Sequence, residues 1–129
     1  MGLVEACRWY AKDWSASAGV ALRSRFAKIK TEPDSRVATD MFRVLQELLI
    51  NVARHAGASQ VQLSLSGSAA GLALRLQDNG RGFAPGQAST GFGLMGVRER
   101  VRQHGGSFQI DASASGTCVR VSMQHLTRP

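Results

Sequence analysis

The sequence predicts an α+β domain, a two-layer α/β sandwich in which about three helices cover one face of a mixed sheet of about five strands. Three observations predict it. Two pairs of short runs alternate apolar and polar residues as half-buried strands do: "QVQLSLS" with "LALRLQ", and "SFQID" with "TCVRVSM". Three other segments carry apolar residues at helical spacing. Helices and paired strands are interspersed, in the order helix, strand, helix, two strands, helix, two strands.

Each element has its own signal. Leu3, Cys7, Tyr10 and Trp14 fall on one stripe of a helix over about 3–16. Val20, Leu22 and Phe26 alternate as in a strand. "KTEPDSR" is a loop, because Pro33 biases Glu32 away from helix. A long helix follows over about 37–56, buried along Val37, Met41, Val44, Leu45, Leu48 and Val52, with Gly57 placed for its C-cap. The first strand pair is joined by "GSAAG", a hairpin. The third helix covers about 93–104, faces inward through Leu94, Val97 and Val101, and stops at Gly105 and Gly106. The last two strands flank the turn "ASASG". One sheet face is left for solvent or a partner.

A chain of 129 residues, 43% hydrophobic, makes one domain, residues 1–129, with a modest core. No apolar run approaches the roughly 20 residues that span a bilayer, and no secretory signal pattern opens the chain. Cys7 and Cys118 have no metal-type spacing and read as two reduced, buried thiols of a cytosolic protein. The net charge is +7, but the arginines are scattered from Arg8 to Arg128 and no aromatics interleave with them, which argues against nucleic-acid binding.

Two stretches resist a purely structural reading. "LQDNGRGF" (76–83) puts Asn-Gly after an alternating run, the strongest short hairpin signal, yet "RGFAPGQASTG" offers no returning strand. In "QELLINVARHA", Glu47, Asn51 and His55 repeat every four residues, about 400° of helix, and so share one drifting stripe. Asn costs roughly 0.7 kcal/mol against Ala inside a helix. A solvated face is the plain reading; the alternative is a polar stripe lining a pocket, where an amide oxygen and a carboxylate suit Mg²⁺. "GFGLMG" (91–96) reads as G-x-G-x-x-G with Asp111 20 residues after Gly91, but it does not follow directly on a strand, so a dinucleotide fingerprint is rejected. What survives is a glycine-rich helix start with amide donors open to an anion.

Taken together, these motifs resemble the catalytic ATP-binding domain of bacterial two-component sensor histidine kinases, in the GHKL superfamily shared with gyrase. "QELLINVARHA" resembles the N box, "DNGRGF" the first glycine box and "GFGLMGVRER" the second, in the form found in the branch signalling to helix-turn-helix response regulators. The resemblance implies the Bergerat ATP-binding fold and a kinase delivering the ATP γ-phosphate to a histidine on a dimerisation hairpin, for relay to a response regulator receiver domain. None of His55, His104 and His125 sits in a suitable helix, so the chain is expected to be a domain excised from a longer kinase and incomplete without the phosphoacceptor.

Site roles follow from the resemblance. Asp78 would accept a hydrogen bond from the adenine amino group. Gly80 and Gly82 would let backbone approach adenine, beside Phe83, and Thr117 would support Asp78 through its hydroxyl or a water. Asn51 would ligate Mg²⁺, with Glu47 helping directly or through water; these two are the catalytic candidates. Arg54 and His55 would reach toward phosphates. Gly91, Phe92, Gly93 and Leu94 would form the phosphate-side loop, and 83–92 the lid. The lid has no Lys or Arg, so phosphate charge would fall to Mg²⁺, Arg54, helix amides or Arg81. ATP and Mg²⁺ are the expected cofactors, and neither nucleic acid nor membrane contact is expected. The location would be cytoplasmic, whether or not the parent is anchored in the inner membrane. Two alternatives are a stand-alone anti-sigma-factor serine kinase and a degenerate, non-catalytic interaction module.

Overall fold

A computed structural model describes residues 2–81 and 94–125. Helix α1 (Leu3–Ala18) leads into strand β1 (Ala21–Phe26) through Gly19, whose left-handed backbone closes the helix. Helix α2 (Ser35–Asn51) starts at Asp34, whose carboxylate accepts the Arg36 N–H at 2.9 Å. It continues as a π-helical turn, Val52–Ala56, and ends at Gly57 with φ of 61°. Strands β2 (Gln60–Gly67) and β3 (Gly71–Asp78) form the expected hairpin. Helix α3 (Leu94–Gln103), β4 (Ser107–Ser113) and β5 (Gly116–Gln124) complete the described order.

The sheet is mixed, in the order β1-β2-β3-β5-β4. β1 runs parallel to β2, and the other neighbours are antiparallel. The helices lie on one face. α2 buries Val37, Met41, Val44, Leu45, Leu48 and Leu49 against Leu63, Leu65, Leu74, Leu76, Val119 and Val121 of the sheet. Each such side chain contributes roughly 1.5–3 kcal/mol when fully buried. α1 adds Cys7, Ala11 and Trp14, and α3 adds Leu94, Val97 and Val101.

Several expectations shift in detail. Leu3 and Tyr10 are only half-buried, and Ala11 joins the α1 stripe instead. α1 runs two residues further than expected, to Ala18. The long helix is not α-helical to its end; its last turn widens into a π-helix. Cys7 is buried, with desolvation pushing its thiol pKa up to about 12. Cys118 is half-exposed rather than buried. It sits between buried Thr117 and Val119, so strand alternation turns it to the uncovered face.

Candidate nucleotide site

The period of β3 delivers Asp78. Leu72, Leu74 and Leu76 face the helices, and two residues further on the same face carries a carboxylate. Asp78 is 5% exposed. Its Oδ1 accepts the N–H of Gly80 at 2.8 Å, an Asx turn. Burial raises its pKa, against the lowering effect of backbone N–H donation from Gly80 and Thr117. Among the described residues it has no salt bridge.

The next three residues are fastened elsewhere. Asn79 Oδ1 accepts the N–H groups of Ser59 (2.9 Å) and Gln60 (3.0 Å), while its Nδ2 donates to Ser59 Oγ at 2.9 Å. Gly80 lies so close to the π-helical turn that an added Cβ would sit 2.1 Å from the Ala56 carbonyl oxygen. Arg81 donates its backbone N–H to Ala56 O and its Nε–H to His55 O, both at 2.9 Å. The "DNGR" segment is therefore no hairpin turn. It bolts the end of β3 to the end of the α2 helix and the entry to β2.

The helix side supplies Asn51, the last residue of α2, 7% exposed. Asn51 and Asp78 open on one cavity. Its other polar groups are His55 and Thr117. Its apolar walls are Leu48, Val52, Leu76, Leu94, Ile110 and Val119. A mostly apolar cleft with a few convergent polar groups is the usual form of a small-molecule site.

Not every candidate residue reaches this cavity. Glu47 is half-buried but does not line it; its charge contributes to raising the Tyr10 pKa, after desolvation and Asp13. Arg54 is exposed and also lies off the cavity wall. Thr117 pairs with Asp78 in register, and its backbone N–H donates to the carboxylate. Packing against Ala56 by itself requires glycine at position 80. Gly82, Phe83, Gly91, Phe92, Gly93 and the lid over 83–92 lie outside the described residues. Sequence reading missed Ile110 and Val119 as walls and Asn79 as a fastener. For the walls the alternation of β4 and β5 held the signal.

Known proteins resemble this chain in sequence and in fold. The sequence pattern described as "Histidine kinase-, DNA gyrase B-, and HSP90-like ATPase" matches residues 36–127. The signal transduction histidine-protein kinase/phosphatase UhpB of Salmonella typhimurium is 45% identical over 83 residues, 64% of this chain and 16% of that protein. The signal transduction histidine-protein kinase/phosphatase DegS of Brevibacillus brevis is 28% identical over 125 residues, 95% of this chain and 32% of that protein. The chain thus spans less than a third of either relative. The histidine kinase domain of the blue-light activated kinase EL346 from Erythrobacter litoralis superposes with a TM-score of 0.84 at 19% identity, over 97% of this chain and 62% of that one.

Proposed function

This chain belongs to the histidine kinase-, DNA gyrase B- and HSP90-like ATPase family, as an ATP-binding catalytic domain of sensor histidine kinases, and we propose that it holds ATP between Asp78 and Asn51 for phosphotransfer to a histidine on a separate hairpin. The observation that carries this reading is the shared cavity, with Asp78 on its sheet wall and Asn51 on its helix wall.

The adenine amino group donates to the Asp78 carboxylate. The carboxylate is held rigidly by two backbone donors and kept out of water, so one polar contact reads the base. Leu76, Leu94, Ile110 and Val119 sandwich the ring. Triphosphate runs toward Asn51 and His55.

Asn51 fits a Mg²⁺ site, since its amide is a hard oxygen donor buried at the cavity wall and Mg²⁺ takes few protein ligands. Glu47, one turn away and off the wall, would act only through water. Bound Mg²⁺ supplies charge neutralisation at the phosphates. The phosphoacceptor imidazole, from the hairpin, attacks the γ-phosphorus and ADP leaves; this chain's part is positioning. The product histidine phosphate passes to a response regulator receiver domain. We place the reaction in the cytoplasm; in the described residues no helix is long and apolar enough to cross a membrane.

The test supplies a cognate dimerisation hairpin in trans with γ-labelled ATP. The expected result is acid-labile phosphate on the hairpin that depends on this chain and on Mg²⁺. Tight ATP binding with no transfer to any such hairpin would remove the kinase reading and leave ATP binding alone.

A further inference from the structure

The uncovered face of the sheet carries a cationic trough. Strand alternation places Arg23 and Arg25 of β1, Gln62 and Ser64 of β2, Arg75 and Gln77 of β3, and Arg120 of β5 on the side away from the helices. Register aligns them. Arg25 pairs with Ser64, Ser64 with Arg75, and Arg75 with Arg120, so one cross-strand row reads Arg-Ser-Arg-Arg. Neighbouring strands are about 4.8 Å apart, so Arg25 and Arg75 flank Ser64 within reach of one small anionic group. Arg23, Arg25, Gln62, Ser64 and Arg75 line a single surface concavity open to solvent.

The fold does not explain this row. Like charges directly opposite on adjacent strands destabilise a sheet, and Arg75 stands directly opposite Arg120. Relief is partial. Arg120 pairs with Asp111 at 3.3 Å, and Arg75 donates to Gln77 Oε1 at 2.6 Å. Arg23 and Arg25 form no salt bridge among the described residues. Among the described residues Asp111 is the single acidic one on this face, and it lies on β4, at the opposite sheet edge from the trough.

We infer that this trough docks a carboxylate-bearing surface of another protein. Among the described residues all four cations on the face are arginines, although the chain has lysines elsewhere, at Lys12, Lys28 and Lys30. The planar guanidinium fork matches carboxylates in bidentate fashion, and Gln62 and Ser64 add uncharged donors between the forks. Among the described residues the face offers no exposed aromatic side chain to stack a nucleobase and no large apolar one to enter a lipid layer. Discrete Asp and Glu side chains are the chemistry that remains.

The probe is a fluorescent oligo-glutamate peptide, titrated by anisotropy at low salt against the wild-type chain and three double variants. R25Q/R75Q and R23Q/R25Q remove trough cations. R36Q/R43Q removes equal charge from the exposed side of α2, and circular dichroism confirms that every variant keeps its fold. The expected result is a loss of about tenfold in affinity for each trough variant, the equivalent of about 1.4 kcal/mol, and little change for R36Q/R43Q. Equal losses in all three variants, or no measurable binding by the wild type, would overturn the inference. So would tighter, trough-dependent binding to phosphatidylserine vesicles or to a DNA duplex, since each names a different occupant.

Discussion

Two carboxylates mark opposite ends of α2, and they are treated differently. Asp40, in the second turn, is saturated with cationic or basic partners: its Oδ2 lies 2.6 Å from His104 Nε2 and its Oδ1 lies 3.2 Å from an Arg100 nitrogen. Asp78, beside the far end, is more deeply buried yet among the described residues receives only backbone N–H groups, and its pKa is raised. The Asp40 cluster ties α2 to the end of α3, whose His104 carbonyl in turn accepts the N–H of Gln124 on β5. It spends its charge on the fold. Asp78 keeps an acceptor facing a cavity, at a cost in desolvation, which is the pattern of a group held ready for a ligand.

The contrast can be broken most severely by changing the base. Guanine presents a carbonyl where adenine presents an amino group, so two acceptors would meet at Asp78 in a dry pocket. Discrimination of ATP over GTP by about 10⁴-fold is expected in competition titrations. Equal affinity would mean that Asp78 does not read the base.

The opposite end gives the next largest effect, and it should appear in stability. Asp40→Ala takes one partner from buried His104 and one from Arg100. A loss of about 1–3 kcal/mol is expected, lowering the thermal midpoint by roughly 4–12 °C, with ATP affinity within about twofold of wild type. A large fall in affinity at unchanged stability would erase the distinction between the two carboxylates.

Asn79→Ala probes the fastening between them. It deletes three hydrogen bonds to Ser59 and Gln60 at an exposed site. About 1–2 kcal/mol of stability is expected to go, with a few-fold weaker ATP binding as the Asp78 end loosens. Calorimetry and nucleotide titration on one preparation measure both.

Mild acid gives the smallest change. The raised pKa of Asp78 means that its proton is held more tightly in the folded chain than in the unfolded one. Its contribution to stability is thus fully present below the unfolded pKa and is lost as pH rises through the folded value. Binding runs the other way, because only the ionised form accepts from adenine. ATP affinity is expected to fall as pH drops through that raised pKa, while the Asp78 contribution to stability grows. A pH series of titrations and melts reads both slopes.

Much of this was legible in residue order. Alternation found β2, β3, β4 and β5, and helical stripes found all three α-helices, because one buried face imposes a period on each. The pairing of Asp78 and Asn51 on one pocket followed from motif resemblance rather than periodicity. The π-helical turn was not legible, since Val52 and Ala56 would be buried in an α-helix of the same sequence as well. Nor was the placing of β5 between β3 and β4, a non-local pairing that leaves no local trace. Nor was the packing that requires Gly80, because its neighbour, the Ala56 carbonyl, lies 24 positions earlier in the chain.

The most direct measurement is a Mg²⁺-ATP titration of Asp78→Asn beside its thermal melt. An amide keeps the shape and an acceptor for the Gly80 N–H, but replaces the charge that adenine would meet. ATP binding should weaken by about 100-fold or more, while the melting midpoint stays level or rises because a buried charge is gone. Undiminished ATP affinity in a folded Asp78→Asn chain would contradict the assignment of Asp78 as the group that grips the base.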